Sequence, residues 1–471
     1  PRLREQPFEA EIRAMAVYNA EADSVRVSVK GAPESILPMC SAQSAEGGTT
    51  PMTPADRQQW LSRIDTQAEQ GYRTLALAMR QADDEGADPY DALILLGIVC
   101  FQDPPRADVR QTIERCRAAG IQLVMVTGDH VATARHIATE VGLLDPDAGP
   151  GASLDARDSG SDPAEIARLA RARVIARVSP QQKFELVRYF QDRGHIVAMT
   201  GDGVNDAPAL KQADIGVAMG IRGTAVAREA AAMVLQDDRL STIVEAIEQG
   251  RSIYSNIRKF VIYLLSCNIS EVLIVALATL AGAPLPLLPL QILFLNLVTD
   301  VFPALALGVG AGHEGLMQHA PRNPQEHIVA RRHWARITIH GVILCGVVLG
   351  AMGFAIEVMQ LTEPEAVTIS FCTLALAQLW HVFNMRDRSS RLLRNEISRN
   401  RWIWGAIGLC ILLVAGAIYL PAASRILELR APSPASWALI LGASLLPLLF
   451  GPLVLRLTPE PATNGPSGAA D

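Results

Sequence analysis

Six long apolar stretches in the second half of the chain constrain its fold more than any other feature. Each is close to the roughly 20 residues that a helix needs to cross a bilayer. They fall at residues 261–281, 287–307, 337–356, 367–383, 403–420 and 438–455. Residues 239–260 are polar with a helical pattern and run into the first stretch without a break. The sequence therefore predicts a stalk and an all-α transmembrane domain of six helices over residues 239–457.

The distribution of arginine and lysine predicts how these helices are oriented, because basic loops stay on the cytoplasmic side. The segment before the first stretch and the loops after the second and fourth are basic, whereas the loops at 282–286 and 357–365 are uncharged and acidic. We expect an integral, multi-pass protein of the plasma membrane with its soluble part in the cytoplasm. The Pro-, Gly- and Ala-rich residues 458–471 are expected to be disordered.

Residues 1–238 have the composition and pattern of soluble α/β protein. Residues 1–92 mix short β-like runs with one helical stretch, which predicts a mixed α+β domain. From residue 93 to 238, apolar runs alternate with amphipathic helical stretches, a pattern typical of a Rossmann-like parallel sheet covered on both faces by helices. The expected strands lie at residues 94–100, 121–127, 174–178, 196–200 and 215–219. The net charge of −6 gives no basic stripe for nucleic acid.

Acidic, glycine and basic residues follow several of these expected strands. Open α/β sheets bind ligands at the carboxyl ends of their strands, and Mg²⁺ prefers carboxylates together with phosphate and water oxygens. A lysine on the following helix can neutralise phosphoryl charge. The residues in question are Thr127, Gly128, Asp129, Lys183, Asp202 and Asp206. Together they indicate a site for Mg²⁺ and phosphate.

The run TGDGVNDAPALK at residues 200–211, with ADIGVAMG at 213–220, resembles the hinge signature of P-type ATPases, members of the haloacid dehalogenase-like superfamily. DPPR at 103–106, TGD at 127–129 and KGAPE at 30–34 also resemble motifs of that family. The resemblance covers essentially the whole chain. It implies a nucleotide-binding domain at residues 1–92, a phosphorylation domain at 93–238, ATP as substrate and Mg²⁺ as cofactor.

The same resemblance implies roles for individual residues. The implied catalytic residues are Thr127, Gly128, Asp129, Lys183, Asp202, Asn205 and Asp206. Among them, Asp202 would ligate Mg²⁺ and Lys183 would contact the phosphoryl group, while Asn205 and Asp206 would support the phosphorylation site. The implied nucleotide-binding residues are Phe8, Lys30, Arg73 and Arg177, with Phe8 stacking on adenine.

Two motifs of the family are absent from these 471 residues, the DKTGT run and the TGE loop. The family mechanism needs an aspartate nucleophile to form an aspartyl-phosphate. We therefore expect this chain to be the C-terminal portion of a pump and not to turn over ATP by itself. The alternatives are a non-catalytic, degenerate or regulatory membrane protein and a membrane-tethered phosphatase, which would need its nucleophilic aspartate within this chain.

Polar side chains in the first two apolar stretches share helix faces. Asn268 and Glu271 are three residues apart, and Asn296, Thr299 and Asp300 are three and four apart. An acidic group at the bilayer centre costs roughly 2.5–3.5 kcal/mol, so such residues are functional by default. Mixed carboxylate, amide and hydroxyl oxygens suit a hard cation such as Ca²⁺. These five residues are the predicted ligands of a transported cation.

SCNISE at residues 266–271 and LNLVTD at 295–300 resemble the ion-binding helices of type II pumps, especially the calcium group. Where a two-site calcium pump is expected to have Glu, this chain has Gln378, so the resemblance implies one Ca²⁺ per cycle. A pump for Na⁺, H⁺ or Mn²⁺ on the same scaffold is the alternative. Pro303 is expected to loosen its helix and free backbone carbonyls near the site.

Overall fold

The structure is a computed structural model that describes residues 1–9, 11–21, 24–101, 104–157, 159–310, 312, 315–387, 390 and 394–458. It divides into two compact units, one of residues 1–117 and 121–243 and the other of residues 118–120 and 244 onward. Asp103 of the DPPR motif and residues 459–471 of the expected disordered tail lie outside the described residues.

A seven-stranded mixed sheet forms the first part of the first unit. Its strands are β1 (Arg2–Glu9), β2 (Ala14–Ala20), β3 (Val25–Gly31), β4 (Cys40–Ala45), β5 (Gly48–Pro51), β6 (Arg73–Ala82) and β7 (Leu93–Phe101), in the order β1-β2-β3-β6-β7-β4-β5. Two helices pack on it, α1 (Pro33–Met39) and α2 (Pro54–Glu69). Burial alternates along β3, where Val25, Val27 and Val29 face the core. The mixed α+β prediction is confirmed for this region.

Strand β7 belongs to this mixed sheet, so the expectation that residues 94–100 open the parallel sheet is wrong. β7 pairs antiparallel with β6 and parallel with β4, and its Leu93 and Leu95 are buried in the same core as Ile36. A continuous apolar run has no periodicity that distinguishes a strand of one sheet from a strand of the next. The mixed sheet therefore extends to Phe101, past the predicted boundary at residue 92.

Parallel strands alternating with helices follow, as the sequence predicts, but they form two small sheets. The strands are β8 (Met125–Val126), β9 (Ser153–Asp155), β10 (Val174–Ala176), β11 (Ala198–Gly201), β12 (Ile215–Met219) and β13 (Met233–Leu235), in the orders β8-β10-β9 and β11-β12-β13. The helices are α3 (Val109–Ala118), α4 (Val131–Glu140), α5 (Pro163–Leu169), α6 (Pro180–Asp192), α7 (Ala207–Gln212) and α8 (Ala225–Ala230). Every pairing in both sheets is parallel.

The second unit is helical, and in the described part of the chain six of its helices are long and apolar enough to cross a membrane. The helices are α9 (Leu240–Leu280), α10 (Pro289–Leu295), α11 (Val301–Gly308), α12 (Arg331–Glu357), α13 (Glu363–His381), α14 (Arg401–Tyr419), α15 (Pro421–Ile426) and α16 (Pro434–Leu457). α10 and α11 form one span around a wide π-helical turn, Asn296–Asp300. The six predicted spans are confirmed, and the stalk and the first span form one helix of 41 residues.

Helix α13 is the central helix of this unit. Every residue from 366 to 379 is buried, whereas the other spans expose one apolar face. Phe371, Leu374 and Leu379 belong to one apolar cluster with residues of the first, second, third, fifth and sixth spans. A polar side chain on α13 therefore reaches its neighbours without meeting solvent.

Candidate functional site

A tight turn follows strand β11 and holds Asp206 under Gly201. The backbone N–H of Gly203 donates to Asp206 Oδ2 over 3.2 Å. A Cβ atom at Gly201 would lie 2.6 Å from Cβ of Asp206, so the turn needs glycine at this position. The sequence TGDGVND therefore specifies a turn in which the Asp206 carboxylate points inward, while Asp202 and Asn205 are exposed.

Lys183 reaches the inward carboxylate from helix α6. Ser179 caps this helix, and its side chain accepts the N–H of Gln182, which fixes the first turn on which Lys183 lies. Lys183 Nζ donates to Asp206 Oδ1 over 2.6 Å, and the two side chains are only 15% and 11% exposed. The structure thus brings Lys183 and Asp206 together, as the strand-end placement predicts.

Asp202 and Asn205 lie on the exposed rim of the same turn. Mg²⁺ takes one or two carboxylates and keeps several waters, and an exposed carboxylate beside a buried Lys–Asp pair fits that requirement. Asp206 has one oxygen occupied by Lys183 and the other by a backbone N–H. The donor set therefore fits Mg²⁺ at Asp202, with Asp206 positioning the lysine.

The TGD run at the end of β8 forms a self-bonded turn. The Thr127 hydroxyl donates to Asp129 Oδ2 over 3.2 Å, and the Asp129 N–H donates to Thr127 Oγ1 over 3.1 Å. Gly128 is exposed with open space where a Cβ would be. Arg73 Nε lies 3.9 Å from Asp129 Oδ1 at the surface. The structure thus brings Arg73 of the mixed sheet to the TGD turn.

Arg177 links the end of β10 to the KGAPE motif. Its guanidinium, on a side chain that is 7% exposed, bonds Glu34 Oε1 at 2.6 Å and lies 3.7 Å from Asp155. Its backbone has φ of 54°, a region that non-glycine residues rarely adopt. Such local strain persists only where the surroundings enforce it. Glu34 and Asp155 were not predicted as site residues, although Glu34 is the last residue of the motif.

Phe8, Lys30 and Arg73 form an exposed group on the mixed sheet. Lys30 on β3 pairs with Leu77 on β6, and Leu77 is four residues from Arg73 on that strand. Alternate residues of a strand face the same side, so Lys30 and Arg73 share one face of the sheet. Pro7 and Phe8 form a bulge in β1 opposite Met15, and Met15 pairs with Lys30. Phe8 is 63% exposed. An aromatic ring and two cations therefore lie along one open face.

Arg106 of the DPPR motif contacts the segment that follows β13. Arg106 bonds the backbone carbonyl of Asp238 and lies 3.9 Å from its carboxylate. The backbone N–H groups of Ile221 and Arg222 also donate to that carboxylate, at 3.0 Å each. These N–H bonds, with a smaller contribution from Arg106, hold the pKa of Asp238 below its ordinary value. The motif therefore anchors a charged aspartate two residues before α9.

A freed backbone carbonyl marks the second candidate site, in the helical unit. Pro303 has no N–H, so the carbonyl of Thr299, four residues earlier, lacks its usual helical donor. The hydroxyl of Tyr263 on α9 donates to this carbonyl over 2.9 Å and lies 3.4 Å from the Gln378 carbonyl. The expectation that Pro303 frees a carbonyl is confirmed, whereas the π turn before it was not predicted.

Gln378 on α13 joins the first two spans. Its Nε2 donates to Glu271 Oε1 over 2.9 Å, and its Oε1 accepts from the Thr299 hydroxyl over 2.7 Å. All three residues are at most 4% exposed. The half-buried Asn296 lies beside the Glu271 carboxyl group. Glu271, Asn296 and Thr299 thus lie around the side-chain amide of Gln378. From the sequence alone, Gln378 was noted only as a residue that replaces an expected glutamate.

Asp300 has the least compensated charge in this group. It is 3% exposed, and neither carboxylate oxygen has a hydrogen-bond partner among the described residues. The thiol of Cys267 lies beside it but is only a weak donor. Leaving a buried carboxylate unpaired is costly. The geometry therefore calls for a cation or a proton at Asp300.

Asn268 is not part of this group, and its prediction as a ligand is corrected on that geometry. Its side chain is exposed and donates back to the Leu264 carbonyl over 2.8 Å. Residues three apart on a helix differ by about 60° around the axis, which is enough for Glu271 to face inward while Asn268 faces outward. Within the described residues no group of three or more His, Cys, Asp or Glu gathers as a metal site.

Comparisons with known proteins match parts of both units of the chain. A family model described as P-type ATPase, cytoplasmic domain N, matches residues 1–108, and one described as Cation transporting ATPase, C-terminus, matches residues 284–457. A calcium-transporting ATPase of Bacillus subtilis is 41% identical over 467 residues, which are 96% of this chain and 52% of that protein. Calcium-transporting ATPase 1 of Bacillus cereus is 35% identical over 478 residues, 96% of this chain and 53% of the relative. A cation-transporting ATPase of Synechocystis is 40% identical over 347 residues, which are 72% of this chain and 38% of that protein. The chain spans about half the length of the curated relatives it matches.

Proposed function

The chain belongs to the P-type ATPase family of cation pumps, and on that premise we propose that the intact protein uses ATP, through an aspartyl-phosphate intermediate, to move Ca²⁺ across a membrane. The observation that carries the proposal is the buried, unpartnered carboxylate of Asp300 beside the Glu271–Gln378–Thr299 chain of hydrogen bonds. Relatives named calcium-transporting ATPases support the choice of ion.

The donor set supports one hard cation per cycle. Glu271 and Asp300 supply carboxylate oxygens, and Asn296 and Thr299 supply amide and hydroxyl oxygens, the mixture that Ca²⁺ takes in proteins. Gln378 is neutral, and both ends of its amide are already hydrogen-bonded. A neutral, occupied amide at this place leaves the site without a third acid, which favours a single ion.

The strand-end site supports the phosphoryl chemistry on a haloacid dehalogenase-like domain. Asp202 would hold Mg²⁺, which screens phosphate charge, while Lys183, oriented by Asp206, would contact the phosphoryl group. Asn205 would position this turn against the phosphorylation site, and Thr127, Gly128 and Asp129 would face it and the nucleotide phosphates from β8. The DKTGT run is not among the 471 residues, so the nucleophile of the proposal belongs to the intact pump.

The open face of the mixed sheet supports nucleotide binding. Phe8 would stack on adenine, while Lys30 and Arg73 would attract the phosphates, since stacking and cation contacts are sequence-tolerant ways to bind a base and its charge. Arg177 would hold the KGAPE motif in place through Glu34. The nucleotide-binding part of the proposal runs to Phe101, the phosphorylation part from there to residue 238, and both lie on the cytoplasmic side of the plasma membrane.

Ion uptake by the intact pump tests the proposal. In sealed vesicles, ATP should drive Ca²⁺ uptake, and Asp300→Asn should lower apparent Ca²⁺ affinity by about tenfold or more, the loss of a charge-assisted contact. Glu363→Gln is the matched control, because Glu363 is an exposed acid at the start of α13. Uptake that Asp300→Asn leaves unchanged, or that occurs with Na⁺, H⁺ or Mn²⁺ in place of Ca²⁺, would refute the assignment of the ion.

A further inference from the structure

A cleft lined by basic side chains lies at one end of the helical unit. It is a small cavity of about 80 Å³ where α9, α12 and α16 meet the segment after α13. Its polar lining includes Arg258, Lys259, Arg332, His333, Arg336 and Arg386. None of these residues belongs to either site described above. The cleft therefore needs an explanation of its own.

Positive charge dominates this cleft. Five cationic side chains and one carboxylate, Asp387, line it. Lys259 pairs with Asp387 at 2.6 Å and with Glu396 at 3.1 Å, and Arg332 pairs with Glu326. These pairs leave the lining with an excess of positive charge. An anion would therefore be attracted to it.

Several buried donors in the cleft have no acceptor. Within the part of the chain that the structure describes, Nε of Arg258, Arg332 and Arg386 and Nε2 of His333 are buried without a hydrogen-bond partner. Arg386 is 7% exposed and His333 is 4% exposed. Unpaired buried donors are rare in folded proteins. Four such atoms around one cavity indicate a ligand rather than four separate defects.

The cap of helix α12 fixes the polarity of His333. The backbone N–H of Ala330 donates to His333 Nδ1 over 3.0 Å, so Nδ1 is an acceptor and carries no proton. Nε2 of the neutral ring must then carry the hydrogen. All four unpartnered atoms are consequently donors. A ligand with several acceptor oxygens and no donors, such as a phosphate group, satisfies them together.

The apolar side chains beside the cavity favour a lipid over a free anion as its ligand. Ile262, Met385 and Leu455 border the same cavity. Met385 and Leu455 lie at the ends of the fourth and sixth spans, and Ile262 lies where the apolar part of α9 begins. The cleft is therefore at the level where the headgroups of a bilayer lie. We propose that it binds the phosphate headgroup of an anionic phospholipid, with the acyl chains passing over these three apolar side chains.

Lipid binding to the full chain in mild detergent tests this site. Phosphatidylglycerol should bind and raise the thermal midpoint, whereas phosphatidylcholine and inorganic phosphate should not. The double variant Arg258→Gln, Arg386→Gln should bind phosphatidylglycerol about 25-fold more weakly, about fivefold for each charge removed. Arg401→Gln with Arg425→Gln removes the same charge from exposed positions and should change affinity less than about twofold.

A measurement on the unmodified chain covers the case in which the double variant fails to fold. Phosphatidylglycerol with a photoreactive group near its headgroup should crosslink to the peptide that contains Met385 and Arg386. Crosslinks spread evenly over the spans would overturn the proposal, and so would equal binding of phosphatidylcholine. Full competition by millimolar inorganic phosphate would also overturn it, because the cleft would then be a site for a free anion.

Discussion

Replacing Gln378 by Glu converts the central amide of the membrane site into an acid of nearly the same size. The change removes the hydrogen bond from Nε2 to Glu271, a bond to a carboxyl group worth about 1.5–3 kcal/mol. It also places two carboxylates at the 2.9 Å that now separates donor and acceptor. Full charges at that distance would repel by about 6 kcal/mol at an effective dielectric of about 20.

Proton uptake limits that repulsion, because one of two adjacent carboxyl groups stays neutral. We therefore expect Gln378→Glu to destabilise the protein by about 2–4 kcal/mol in the presence of a chelator. A divalent cation reverses the sign of the new interaction, since a third carboxylate becomes a ligand. Ca²⁺ also stabilises the wild type, so saturating Ca²⁺ should narrow the difference only by the extra affinity of the variant, about 1.4 kcal/mol for a tenfold tighter site.

Unfolding in detergent, followed with and without Ca²⁺, measures both effects. Gln291→Glu is the matched control, because Gln291 is equally buried but bonds the Leu427 carbonyl instead of an acid. It should destabilise the protein by the same amount with and without Ca²⁺. If Gln378→Glu behaves like this control, the reasoning that places a cation beside Gln378 is refuted.

Two further predictions concern ion pairs outside the spans. Lys183→Gln should destabilise the α/β region by about 2–4 kcal/mol in urea unfolding, because it leaves the largely buried Asp206 carboxylate without its ion-pair partner. The control Lys211→Gln, at an exposed lysine, should destabilise it by less than about 0.5 kcal/mol. Equal losses in the two variants would contradict the buried pair. Burial alone would raise the pKa of Glu396, but Lys259 and the bonds from Ser390 and the Asp387 N–H lower it to about 2. The stabilisation by charged Glu396 is therefore complete above pH about 4.3 and is lost as pH falls towards 2. Above that window the wild type should be more stable than Glu396→Gln by about 1–2 kcal/mol after solvent screening. Acid-unfolding measurements should show this difference vanish as pH falls to about 2, and a constant difference would exclude the pairing.

The sequence predicted best those features that one local rule determines. The six spans follow from the length of apolar chain that a bilayer requires, and the structure has a helix at each. The strand at residues 215–219 and the turn after β11 follow from an apolar run ended by glycine and aspartate. The freed carbonyl of Thr299 follows from the missing N–H of Pro303. Each of these needs no knowledge of distant parts of the chain.

Features that depend on distant partners were predicted poorly. β7 joined the mixed sheet because its neighbours β4 and β6 come from earlier in the chain, which an apolar run alone does not reveal. Arg177 and Glu34 are 143 residues apart, so the ion pair between them has no local signal. The bridging role of Gln378 likewise depends on partners 107 and 79 residues away. Asn268 shows the opposite error, since helical spacing alone does not determine which neighbour covers a face.

The π turn at Asn296–Asp300 has a mechanical consequence for the membrane site. Such a turn holds one more residue than a regular α-helical turn. The position of the extra residue can shift along the helix while the hydrogen bonds on either side remain intact. If the wide turn moves along the helix by one residue, the side chain that it passes rotates by about 100° around the axis. Thr299 and Asp300 lie inside the turn. A shift of this kind would turn the ligands of a cation towards or away from Glu271 while both ends of the span stay in place.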